Sequence, residues 1–167
     1  EHLAGLGLAV EYHQWGGATY PNVIAELPGL VNPDRIWIIC GHIDDMPSSG
    51  LAPGADDNGS GTITVLIAAD LLTQFEWGDT LRFALWTGEE QGLLGSAAYA
   101  QRAHNNGEDI LGVLNLDMVA WNNGGTSPTI DLHADSSIPP TLTLAQLMAD
   151  VIDAYDLNLI PEIVPNG

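Results

Sequence analysis

RIWIICGHIDD, residues 35–45, is an apolar run that passes directly into a glycine, a histidine and two aspartates. Continuous apolar runs of this length mark strands buried on both faces of a parallel sheet. Ligands of such sheets gather just past the carboxyl ends of the strands. Two further stretches repeat the plan: LRFALW (81–86) leads into Thr87-Gly88-Glu89-Glu90, and LGVLNL (111–116) leads into Asp117-Met118. If the three strands are neighbours, His42, the glutamate pair and Asp117 meet at one rim.

Working outward, GLAVEYHQW (7–15) and YPNVIAEL (20–27) read as early strands bounded by Gly and Pro turns. From Ser60, SGTITVLIAADLLTQF places Ile63, Leu66, Ile67 and Leu71 on one helical face. GLLGSAAYAQRAH (92–104) predicts a helix, DILGVLNLDMV (109–119) and TIDLHA (129–134) predict strands, and Leu144, Met148, Val151, Ile152 and Tyr155 recur at helical spacing over 141–156. Strands alternating with helices imply a layered α/β fold. The closing NLIPEIVPNG (158–167) reads as a turn with no final helix or strand. The whole chain, 1–167, is expected to form a single domain that stops before its fold is complete.

Composition narrows the partners. With 46% hydrophobic residues in 167, the chain can bury one sizeable core. No apolar run approaches the ~20 residues of a membrane span. The net charge is −19, with no lysine and only Arg35, Arg82 and Arg102 as basic residues. That field repels nucleic acid and anionic membrane surfaces. It suits secretion, to the periplasm or outside the cell, or a salt-adapted cytoplasm. Residues 1–10 lack the basic start and long apolar stretch of a signal peptide, although a processed secreted chain looks the same. The one cysteine, Cys40, excludes an internal disulfide and reads as a small core residue.

Converging carboxylates repel one another unless a positive charge joins them. With so few arginines, a metal ion is the expected neutraliser. One histidine among several carboxylates suits zinc, with manganese and cobalt as alternatives. Asp44 stands two residues from His42 on the same side of an extended chain, where it can take the second imidazole N–H. The loop GADDNGSG (54–61) can reach the same rim, and its adjacent Asp56 and Asp57 must point in different directions. Singly, each piece is ordinary: a histidine after a strand is commonly structural and paired glutamates commonly mark a solvated turn. Four clusters of one chemistry are not.

Together GHIDD (41–45), PGADDNGSG (53–61), LWTGEEQGLLGS (85–96) and NLDM (115–118) resemble the dizinc aminopeptidases of the bacterial leucyl aminopeptidase and aminopeptidase Y type. Glutamate carboxypeptidase II is a more distant member, and YPNVIAELPG (20–29) resembles the strand before that family's core. The resemblance implies a three-layer αβα sandwich around a mixed, mostly parallel sheet. It implies a zinc metallo-aminopeptidase acting on the N-termini of peptides or proteins, with two zinc ions. His42 and Asp117 would hold one ion and Glu90 the other, with Asp57 bridging both and Asp56 as a non-ligating neighbour. Glu89 would be the general base and Asp44 would orient His42. A cis peptide at Asp57–Asn58 is also implied.

One departure stands out. In that family the second zinc takes a further histidine, in a Ser-Asp-His-like segment well after NLDM. His2, His13, His104 and His133 offer no such context. The resemblance therefore implies a first metal site that is complete and a second that lacks one ligand. Two other functions share the fold: a glutaminyl cyclase-like transferase using a single zinc, and a catalytically inactive receptor or interaction module. Asp57-Asn58-Gly59 speaks against the first, and the retained metal and base residues speak against the second.

Overall fold

A computed structural model of the chain describes residues 1–47, 49–121 and 128–165. It divides into two compact units, Glu1–Ala120 and Trp121–Gly167. The first contains α1 (His2–Gly5), β1 (Ala9–His13), β2 (Asn22–Leu27), β3 (Asn32–His42), α2 (Gly61–Leu72), β4 (Asp79–Trp86), α3 (Leu94–Asn106) and β5 (Asp109–Asn115). Its five strands lie in the order β1-β2-β4-β3-β5. The first two pairings are antiparallel, and β3 runs parallel to both β4 and β5. The mixed sheet that the family resemblance implies is present.

Alternation along the strands sends side chains to two cores. Leu81, Phe83 and Leu85 of β4 pack with Ala25, Val65 and Ala69 against α2, with Leu3 of α1 alongside. Ala84 and Trp86 pack with Ile24, Ile36, Ile38 and Cys40 against Tyr99 and Ala103 of α3. Helices therefore cover both faces of the sheet, giving the three layers expected. Cys40 is buried and unpaired, as read from the sequence.

The face α2 turns inward differs from the predicted one. Gly61, Val65 and Ala69 are buried, whereas Ile63, Ile67 and Leu71 are exposed and Leu66 is half-buried against the core. The helix is apolar nearly all round, so periodicity could not select a face. The small residues let it lie close to the sheet.

The second unit contains β6 (Thr129–Ala134), α4 (Pro139–Ala154) and β7 (Ile160–Pro165). β6 and β7 form a parallel pair, and α4 packs on them through Ala145, Ala149 and Ile152. Most of the closing stretch expected to be a turn is thus a strand, while Asn166 and Gly167 lie outside the described residues. Its prolines hid it. Ile160 donates its N–H to Pro128 O at 2.8 Å. In a parallel ladder alternate residues bond to the same neighbour, so positions 161 and 165 point away from β6 and lose no bond by being proline.

Candidate metal centre

β4, β3 and β5 are adjacent, and their register pairs His42 with Trp86 and Cys40 with Asn115. The segments following all three strands therefore leave the sheet at one rim. His42 ends β3 and is 2% exposed. Its Nδ1 lies 3.0 Å from the Asp44 carbonyl oxygen, which assigns a donated proton to that nitrogen. Nε2 then faces three carboxylates: Asp57 Oδ1 at 3.2 Å, Asp117 Oδ1 at 3.5 Å and Glu89 Oε2 at 4.0 Å. One ligand atom each from His42, Asp57 and Asp117 fall within 4.8 Å of one another. The Glu90 carboxylate stands outside that tight group.

Asp44 works through two different groups. Its carbonyl holds His42, while its carboxylate lies 3.9 Å from Nδ1 and accepts the main-chain N–H of Glu89 and of Glu90, each at 3.2 Å. The His-x-Asp pairing read from the sequence is thus made by the main chain. The side chain instead carries the glutamate turn, because both carboxylate oxygens are already engaged there.

Asp57 reaches the rim from the tight turn Ala55–Ser60, whose Asp57–Asn58 peptide bond is cis. Buried Asn58 donates to Leu116 O at 2.9 Å and accepts from Gly61 N–H at 2.9 Å and Met118 N–H at 3.4 Å. Ser60 Oγ accepts from Val119 N–H at 3.0 Å, and Asp56 Oδ1 accepts from Ala120 N–H at 2.9 Å. The stretch carrying Asp117 is thereby stitched to the loop carrying Asp57. Asp56 commits one carboxylate oxygen to this seam. Position 61 admits only glycine, since a Cβ would stand 2.3 Å from both Asn58 Oδ1 and Leu116 O. Along the sequence Asn58 is marked only as the neighbour of Asp57, an amide set among glycines and aspartates ahead of an apolar helix.

The first unit's other histidines sit elsewhere, and His133 belongs to the second unit. His2 pairs with Asp70 at 3.2 Å, His13 bonds Asn22 at 3.0 Å, His104 lies in the last turn of α3 and His133 lies in β6.

Electrostatics follow from this geometry. Burial alone would depress His42, but the Asp44 carbonyl and the charges of Asp117, Glu89 and Asp57 outweigh it, and the imidazole stands above its ordinary value. Glu89 is raised chiefly by burial; His42 opposes the rise, and Asp117, Glu90 and Asp44 add to it. The rim gathers negative charge around one buried nitrogen.

A sequence model described as peptidase family M28 matches residues 22–162, most of the chain. The chain belongs to peptidase family M28. Among curated M28-like relatives, leucine aminopeptidase 1 of Ajellomyces capsulatus is 33% identical over 162 residues, covering 91% of this chain and 38% of the relative. A zinc aminopeptidase from Bacillus subtilis superposes with a TM-score of 0.65 at 26% identity, over 89% of this chain and 35% of that one. The LapA aminopeptidase of Legionella pneumophila shares the fold, with a TM-score of 0.82 at 22% identity over 99% of this chain and 45% of that one. The M28 chain spans 27% to 42% of the length of the first curated relatives it matches.

Proposed function

We propose that the protein is a zinc-dependent aminopeptidase that hydrolyses the N-terminal peptide bond of peptides and proteins. The observation that carries this is the buried His42 Nε2 facing Asp57, Asp117 and Glu89 at 3.2–4.0 Å at the rim of the sheet. The donor set suits zinc: an imidazole whose other nitrogen is committed to a carbonyl, together with carboxylate oxygens that repel one another unless a cation lies between them. His42 and Asp117 would hold one ion, Asp57 would bridge to a second, and Glu90 would serve that second ion. Zinc bound there supplies a Lewis acid for the scissile carbonyl and makes nearby water easier to deprotonate.

The chain's own residues do the rest. Glu89, held at the rim by the hydrogen bond its main-chain N–H donates to Asp44 and raised above its ordinary value by burial, takes the proton of the attacking water. It then returns that proton to the leaving amine nitrogen. The carboxylates at the rim attract the free ammonium group of a substrate N-terminus, which favours an exopeptidase. The −19 charge of the chain adds a modest long-range pull on that cationic end. The same charge favours an extracellular or periplasmic location, or a salt-rich cytoplasm.

The test is hydrolysis of leucine-p-nitroanilide by zinc-supplemented protein, with metal content measured on the same sample. Turnover that stops on chelation and returns with zinc is expected. A metal-loaded protein that cyclises an N-terminal glutaminyl peptide instead would move the assignment to the transferase. One that loads zinc and turns over neither substrate would refute an enzymatic role.

A further inference from the structure

Glu89 and Glu90 sit in a closed loop, residues 88–94, joining β4 to α3. Hydrogen bonds Gly92 N–H to Glu89 O, Leu93 N–H to Glu89 O and Leu94 N–H to Gly88 O cross it, at 2.8–2.9 Å. Its neck is the pair Thr87 and Gly95, joined by Gly95 N–H to Thr87 O at 3.1 Å. A second clasp spans this neck from a different strand.

Asn22, the first residue of β2, is completely buried, and its amide engages both its N–H donors and its oxygen. Oδ1 accepts from Thr87 N–H at 2.9 Å and lies 3.2 Å from the Thr87 hydroxyl. Nδ2 donates to Gly95 O at 2.9 Å and to His13 Nδ1 at 3.0 Å. His13 is buried, and burial and Arg102 depress it with Glu11 opposing, which favours the neutral ring that accepts this bond. The Thr87 hydroxyl also accepts from Trp15 Nε1 at 3.0 Å and lies 3.0 Å from Tyr20 O. Position 95 takes only glycine, since a Cβ there would stand 2.1 Å from Thr87 O and 2.4 Å from Asn22 Oδ1.

We propose that Asn22, through Thr87, is a positioning residue that sets the loop carrying Glu89 and so the aim of the general base. This rests on the aminopeptidase reading for its kinetic consequence but not for its structural one. Asn22 holds the neck, two residues before Glu89, while Asp44 holds the Glu89 and Glu90 amides at the tip. The glutamate backbone is therefore fixed from both ends, by buried Asn22 at the neck and half-buried Asp44 at the tip. Misplacing a reacting group by ~1 Å costs on the order of 10²-fold in rate. A clasp of this kind therefore acts on turnover more than on substrate binding.

The experiment uses Asn22→Asp, which turns an oxygen toward Gly95 O, and Thr87→Val, which keeps the shape and removes the hydroxyl. Thr87→Ser is the conservative control. Zinc-supplemented protein is assayed with leucine-p-nitroanilide, and amide hydrogen exchange is followed across residues 86–96 with and without zinc. We expect kcat to fall roughly 10- to 100-fold in the first two variants with KM within about twofold and zinc content unchanged. Thr87→Ser should recover most of the rate. Exchange in the loop should accelerate at least about tenfold in Asn22→Asp and Thr87→Val, while β3 and β4 stay protected. Unchanged loop exchange in both folded variants overturns the clasp, whatever the activity. Faster loop exchange with parental kcat overturns its role in aiming Glu89. A parental protein that loads zinc without hydrolysing substrate defeats the aminopeptidase reading instead, and loop exchange then decides the clasp alone.

Discussion

Replacing Glu89 with glutamine isolates the chemistry of one oxygen. Glutamine has the same shape, and the bond that holds this residue to Asp44 comes from its main-chain N–H, so the turn is kept. His42, Asp57 and Asp117 make up the tight ligand group without Glu89, so metal loading is kept as well. What disappears is the carboxylate, raised above its ordinary value by burial and by its acidic neighbours, that would accept the proton in the proposed mechanism. General-base help is worth ~10²–10⁴-fold, which corresponds to about 2.7–5.5 kcal/mol at roughly 1.36 kcal/mol per tenfold. Glu89→Gln should lower kcat by that factor with KM and zinc content near parental. The sign of the stability change is also determined. A carboxyl whose folded pKa is raised destabilises the folded state once pH passes its unfolded value, so metal-free Glu89→Gln should be more resistant to urea at pH 7 than the metal-free parent. The assay pairs leucine-p-nitroanilide kinetics with metal analysis and urea unfolding. A metal-loaded variant that cleaves at the parental rate would refute the base assignment.

Asp44→Asn turns an NH₂ toward one of two main-chain N–H donors, so roughly a tenfold or greater loss of kcat is expected while His42 keeps its carbonyl partner; kinetics beside zinc titration check this. On the side of β4 that faces α3, buried Arg82 bonds Glu26, Tyr99 and Glu108. Burial would raise Glu108, but the bond and charge of Arg82 overturn it, helped by Asn106 and Arg102, and the carboxyl stands below its usual 4.5. Its folded pKa being depressed, its stabilisation is present above 4.5 and is lost as pH falls further. Glu108→Gln should cost about 1–3 kcal/mol at pH 7 and flatten that acid limb, as read from urea midpoints at pH 7, 4.5 and 3. Burial pushes the Cys40 thiol up to about 11, with Trp86 pulling weakly the other way. A disulfide reagent at pH 8 should therefore leave the native protein unmodified and titrate one thiol after denaturation.

Much of the site could be read along the chain because its parts follow apolar runs directly. RIWIIC, LRFALW and LGVLNL announce strands, and acidic residues placed immediately after them can only emerge at strand ends. Helix faces were harder to read. In α2 the apolar residues nearly encircle the axis, and the choice of Val65 and Ala69 as the buried side depends on how closely the sheet approaches. β7 was hidden by Pro161 and Pro165, whose harmlessness depends on which neighbour their missing N–H would have faced.

The amino-acid sequence by itself determined the α/β alternation, the acidic field, and the candidate set His42, Asp44, Asp57, Glu89, Glu90 and Asp117. Most of these are local properties, carried by hydropathy runs and by residue chemistry at their ends, whereas the choice of Asp57 over Asp56 is what the family resemblance implies. Only the tertiary structure decided how those residues divide the work. Asp44 meets His42 with its main chain and the glutamate turn with its side chain. Asn58 joins two loops 58 residues apart, from loop 54–61 to Leu116, and Asn22 spans the neck of a third. An asparagine amide is equally at home in solvent or in a core. Which bonds it makes is settled by the backbone groups that a distant strand brings beside it, and no local pattern records them.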